Sequence, residues 1–166
     1  MTATSLPDGV LRVAAKLAEL GHPRDVVMLP VTGRTAADAA AALGVELGQI
    51  AKSIVFRRRE DDAAVLVVTS GDQRVDEQMV TGLVGEVGRA DADFVKAATG
   101  FSIGGVSPVG HATAPVILID AGLFRFKQVW AAAGHPHAVF PLSPDELVQL
   151  TGAPVAEASL YGLKGS

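Results

Sequence analysis

The chain has 166 residues, 49% hydrophobic and 19% charged, which fits one globular domain with a sizeable core and excludes a disordered chain. Its net charge of −4 argues against sequence-independent gripping of a nucleic-acid backbone, DNA included, but leaves a short single-stranded end within reach. Cysteine is absent, no apolar run reaches the ~18 residues of a membrane span, and the N-terminus lacks a signal peptide's basic start and apolar segment; this excludes thiol chemistry and predicts a cytoplasmic protein without membrane partners.

Apolar residues at helical spacing predict a helix over Leu6 to Leu20, ended by Gly21 and Pro23. Asp25 to Val31 is a short β-rich run. Thr35 reads as the N-cap of an alanine-rich helix, Ala36 to Leu43, with Asp38 in its first turn and Gly44 at its close. Two β-rich runs follow, Ile50 to Arg59 and Ala63 to Ser70, forming a hairpin across Glu60 to Asp62. Arg57, Arg58 and Arg59, followed at once by three acids, read as a solvated hairpin end rather than a phosphate track. Period-two alternation puts Ile50, Lys52, Ile54 and Phe56 on one face, so Lys52 is the odd member of an apolar row. A lysine snorkelling to water from a strand end is the plain alternative.

After a turn at Ser70 to Asp72, helices are expected over Val75 to Leu83 and Asp91 to Ala98. Pro115 to Asp120 reads as a buried strand, Phe126 to Ala133 as another, and Val139-Phe140 as a short third. Ser143-Pro144-Asp145-Glu146 carries a cap, a proline at the first helical position and a capping-box acid. Hairpins mixed with helices predict an α+β fold, a single domain with a mixed sheet flanked by helices.

Between the second pair of helices and the buried strand lies Gly100 to His111, with four glycines and a proline in twelve residues, a loop by composition. Four readings of it compete. Gly100-Phe101-Ser102-Ile103-Gly104 matches the Gly-x-Ser-x-Gly nucleophile elbow, with Asp120 and His135 downstream in hydrolase order, but a helix precedes where the elbow needs a strand. A phosphate cradle fits neither known glycine spacing. His135 and His137, with His111, form a thin metal set that no well-spaced acid completes. Finally, the loop can present backbone N–H groups to a carbonyl or ribose, with Lys52 supplying positive charge.

The ordered set of segments resembles the YbaK/ProRS-associated editing domains. It comprises Thr35 to Ala40, Leu43-Gly44-Val45, Ile50 to Phe56, Ser70 to Asp76 with its Gly-Asp and Arg-Val-Asp elements, the Gly104 to Pro108 loop, Asp120, Ala133 to Pro136, and Leu142 to Leu147. The resemblance covers about residues 25–158 of a single domain of residues 1–166, with 1–24 as an N-terminal helical segment. It implies a largely antiparallel mixed sheet, no metal or organic cofactor, and a deacylase acting in trans. Such proteins hydrolyse the ester of mischarged tRNA, often tRNA(Pro). In the family the lysine matching Lys52 is the functional hallmark, and Gly104, Gly105, Val106, Ser107 and Pro108 line the pocket. Gly134 and His135 would border it. The expected partner is the aminoacyl-tRNA 3′ end, with an aminoacyl-tRNA synthetase as an allowed second one. The alternatives are a non-catalytic tRNA- or synthetase-binding module of the same fold and a serine hydrolase using Ser102.

Overall fold

Local capping chemistry sets most helix boundaries. The structure, a computed structural model, describes residues 6–22, 25–30 and 35–161. Helix α1 spans Asp8–Glu19, shorter at each end than expected, because the Pro7 carbonyl accepts the N–H groups of Val10 and Leu11 and sets the first turn. Pro23 and Val31, used in the sequence reading, lie outside the described residues. Helix α2 (Ala36–Leu43) starts on a capping box between Thr35 and Asp38 and stops at Gly44, whose φ of 71° is left-handed.

One expected helix is displaced. Val75 ends a short strand, β4 (Gln73–Val75), and Asp76 caps the helix α3, which runs Glu77–Val84. Asp91 caps α4 (Ala92–Thr99), and Ser143 with Glu146 boxes the start of α5 (Pro144–Thr151). No helix among the described residues is long and apolar enough to cross a membrane.

The main sheet is mixed and mostly antiparallel. Strands β2 (Ile50–Arg58) and β3 (Ala64–Ser70) form the central hairpin, closed by Arg57–Asp62 and Arg58–Asp61 ion pairs. Strand β6 (Val116–Asp120) adds parallel to β3, and β9 (Val155–Ala156) parallel to β6. On the other side come β7 (Val129–His135), β8 (Ala138–Leu142) and β1 (Val27–Met28). The expected strand from Phe126 begins three residues later, because Ala121–Arg125 forms a 3-10 turn that the Phe126 N–H closes onto Leu123. A short β5 (Val87–Arg89) also pairs β2, and β10 (Ser159–Tyr161) pairs β4.

The pairing of β2 decides where a cleft can form. Strand β3 covers one edge from Ala51 to Arg57. On the other edge β7 pairs only Ile50 and Ala51, in parallel, and β5 pairs only Phe56 to Arg58. Residues Lys52 to Val55 therefore have no strand on that edge, and the sheet splits there.

One face of the sheet carries the largest core cluster, in which Ala51, Leu66, Val68 and Ile119 meet Val10, Val13 and Leu17 of α1 and Phe101 of the loop. The other face carries two separate clusters. Phe56, Val65, Val67 and Val80 form one, while Ile50, Val139, Ala39 and Ala40 form the other.

Candidate functional site

Lys52 stands between those two clusters. Alternation along β2 puts Ile50 in one and Ile54 with Phe56 in or against the other, so the lysine occupies the seam between them. Its cross-strand neighbour is Thr69, fully buried and hydrogen-bonded through Oγ1 to Ser159 Oγ at 2.7 Å. The polar row of Lys52 and Thr69 thus interrupts an otherwise apolar face. Burial lowers the Lys52 pKa from its ordinary value, Arg74 adds to the lowering, and Asp72 opposes it. Asp72 is itself engaged in two hydrogen bonds from Arg125, at 2.7 and 3.0 Å. Among the described residues Lys52 forms no ion pair or side-chain hydrogen bond.

The split in the sheet opens into a cleft of about 270 Å³ lined by Lys52, Gly104 and Val106 together with Thr35, Trp130 and Pro136. Two polar atoms on lining residues, Ser53 Oγ and Trp130 Nε1, are buried without a hydrogen-bond partner among the described residues. Thr35, Ser53, Trp130 and Pro136 were not singled out as site residues by sequence. Thr35 was legible as a helix cap and as the start of a family-like segment but not as a cleft residue, and nothing local in the sequence signals that β7 lies beside β2.

The other expected residues sit differently. Gly105 backs directly onto the β7 main chain, since a Cβ there would lie 2.8 Å from His135 backbone atoms, and its N–H donates to the Ser102 carbonyl at 3.0 Å. Ser107 is fully buried, with Oγ accepting from the Val109 N–H at 3.1 Å and its carbonyl accepting from His111 Nε2 at 2.6 Å. Pro108 lines a second, larger groove of about 570 Å³ with Arg12 and His111. Gly134, at φ 90°, packs against Gly9 of α1, where a side chain would strike the Gly9 carbonyl. His135 Nδ1 accepts the His137 N–H at 3.1 Å, beside the cleft-lining Pro136. So Lys52, Gly104 and Val106 share the cleft, while Gly105 and His135 form the packing behind it.

The rival chemistries find no assembled site. Both Asp120 carboxylate oxygens accept backbone N–H groups, from Gly122 and Ala158, each at 2.8 Å, so this acid ties β6 to the C-terminal strands. With His135 Nδ1 accepting from the main chain, it has no proton there to donate to an acid, as a Ser-His-Asp triad would require. The His135 and His137 rings lie 5.2 Å apart, but no group of three or more possible metal ligands occurs among the described residues.

Comparison with known proteins agrees with this architecture. The uncharacterized protein YwhH of Bacillus subtilis (strain 168) is 33% identical over 140 residues, covering 84% of this chain and 88% of its own. A crystal structure described as a candidate trans-editing enzyme for prolyl tRNA synthetase superposes with a TM-score of 0.88 at 43% identity, over 94% of this chain and 99% of that one. A structure from work on computational grafting of epitope backbones onto scaffold proteins matches with a TM-score of 0.89 at 43% identity, over 93% and 99% of the two chains. Residues 31–150 match the family described as the aminoacyl-tRNA editing domain, and the chain belongs to that family.

Proposed function

We propose that the protein is an aminoacyl-tRNA deacylase acting in trans, hydrolysing the ester between a wrong amino acid and the 3′ end of tRNA. The observation that carries this reading is Lys52, a half-buried ammonium without an ion pair among the described residues, held at a break in the sheet where a cleft opens. A desolvated cation is costly to a fold and useful to a site that must hold an anion. Membership of the aminoacyl-tRNA editing domain family supports the substrate class, and the likeness to the 43% identical candidate trans-editing enzyme for prolyl tRNA synthetase supports tRNA(Pro) as the first tRNA to try.

In this reading the aminoacyl ester enters the cleft, whose ~270 Å³ lies near the small end of ligand pockets and suits an amino acid rather than a whole nucleotide. Water attacks the ester carbonyl. The carbonyl oxygen takes up negative charge, the ribose oxygen leaves with a proton, and free amino acid and tRNA result. Lys52 orients the terminal phosphate or the ester by charge, and the Gly104 N–H, which makes no hydrogen bond among the described residues, faces the developing oxyanion. The Gly105 N–H is already used inside the loop, so its part is to fix Gly104. His135 contributes through the position of Pro136 and the loop wall.

The test is hydrolysis of tRNA(Pro) charged with alanine, cysteine, serine or threonine, using wild type and Lys52→Ala. The expected result is rapid release from one member, reduced by about 100-fold or more in the variant, the scale of losing a main electrostatic contact. Hydrolysis that survives in Lys52→Ala would refute the role given to the lysine. Binding of tRNA without turnover of any ester would favour the non-catalytic module.

A further inference from the structure

We propose that Arg12 of α1 is a positioning residue for the cleft, holding both ends of the Gly100–Gly110 loop at once. The helix lies outside the segment that matches the editing family, residues 31–150. Its Arg12 Nε donates to the Gly110 carbonyl at 2.9 Å, and Nη2 donates to the Thr99 carbonyl at 3.1 Å. The guanidinium lies 4.4 Å from the centre of the Phe101 ring, and Phe101 is only 1% exposed. A side chain at Gly100 would strike the same guanidinium. One planar fork therefore spans the two shoulders of the loop and rests on its buried anchor.

What lies between those shoulders is unevenly held. Residues 105–109 are buried, whereas Ser102, Ile103 and Gly104 are exposed, and Ile103 with Gly104 forms the lip of the cleft. Gly104 takes a φ of 92°, so its N–H direction depends on how the loop ends are spaced. Thr99 O also accepts the Ala112 N–H at 3.0 Å, which closes the base of the loop, while its seating on α1 comes from the apolar packing of Phe101 together with the Arg12 fork. On the same helix Gly9 packs on Gly134 of β7, close to the His135 backbone that supports Gly105. Helix α1 thus braces both walls that meet behind the lip, and Arg12 is its polar link to the loop. The kinetic part of this proposal rests on the deacylase reading, and the structural part does not.

The experiment compares wild type, Arg12→Ala and Arg12→Lys as full chains. Lysine keeps the charge but cannot span two carbonyls, and it is the variant to read if alanine compromises folding. Amide exchange across residues 101–110 is expected to quicken about tenfold, a loss on the scale of one or two hydrogen bonds, while β3 and β6 amides stay unchanged. With the ester substrate, kcat should fall about tenfold and KM move less than about threefold, because a tilted loop misplaces a group that acts mainly in the transition state. Unchanged exchange at 101–110 overturns the proposal, as does exchange that rises equally in β3 and β6, the mark of a generally weakened fold. A loosened loop with kcat within about twofold of wild type overturns the positioning role. If wild type cleaves no ester, the deacylase reading fails and the exchange result alone decides whether Arg12 holds the loop.

Discussion

At the scale of single residues, two ionisable groups show how burial is used. Lys52 is kept half-buried without an ion pair among the described residues, so its charge weakens the fold it serves. The Lys52→Ala chain is therefore expected to unfold within about 1 kcal/mol of wild type, the range of a substitution that trades packing against a desolvated charge. A much larger loss in urea unfolding would mean that the lysine is structural. His111 is the converse case. Burial pushes its pKa below the ordinary 6.5, the Ser107 carbonyl pulls it upward, and Arg12 lowers it again. The folded chain thus favours neutral imidazole, and the unfolded chain takes up its proton first as pH falls. Stability from this group is complete above pH 6.5 and declines on acidification from there down to the folded pKa. A ring titration by NMR checks this: a His111 pKa above 6.5 would contradict it.

Among the elements, β2 and the glycine-rich loop wall the candidate cleft, and the fit is tight. Replacing Gly105 by alanine puts a Cβ 2.8 Å from the His135 backbone, which cannot rotate away. The expected cost is about 1–3 kcal/mol of stability, as for other overpacked sites, with an activity loss beyond the unfolded fraction. Gly152→Ala is the matched comparison. It meets nothing within 4 Å and pays only for its φ of 67°, so melting should fall while kcat holds. Equal activity in the two variants would show that the Gly105 contact does not govern the loop.

The elements also mark how far the sequence could be read. Helices α2, α4 and α5 were legible because Thr35, Asp91 and Ser143 make their caps within three residues. The β2–β3 hairpin was legible for the same local reason. Strands β4, β5, β9 and β10 were missed: each is two or three residues long and exists through partners far along the chain, such as Arg74 opposite Leu160. Such pairing leaves no periodic signal. For the candidate site, alternation exposed Lys52 and composition exposed the loop, whereas Trp130 and Pro136 reach the cleft only through the β2–β7 contact. Nor could glycine content distinguish Gly104, on the cleft, from Gly134, packed on α1.

For the molecule as a whole, the chain beyond the matched segment is part of the architecture. Helix α1 supplies Val10, Val13 and Leu17 to the main core, and Ala158 completes a cluster on the other face while its N–H holds Asp120. On that second face the polar row of Lys52 and Thr69 keeps two apolar clusters apart. Truncations in separate clusters should therefore behave as independent changes. Val80→Ala and Val139→Ala are expected to add to within about 0.5 kcal/mol in the double variant, and a larger coupling would show that the clusters are energetically one. This separation has a bearing on how such a chain can diverge. The cluster holding Val139, Ala39 and Ile50 also supplies one side of the cleft, whereas Val80, Val65 and Val67 do not touch it. On the proposed deacylase reading, selection can then alter which amino acid is accepted by enlarging or filling residues on the first side, drawing on a stability reserve kept in the second.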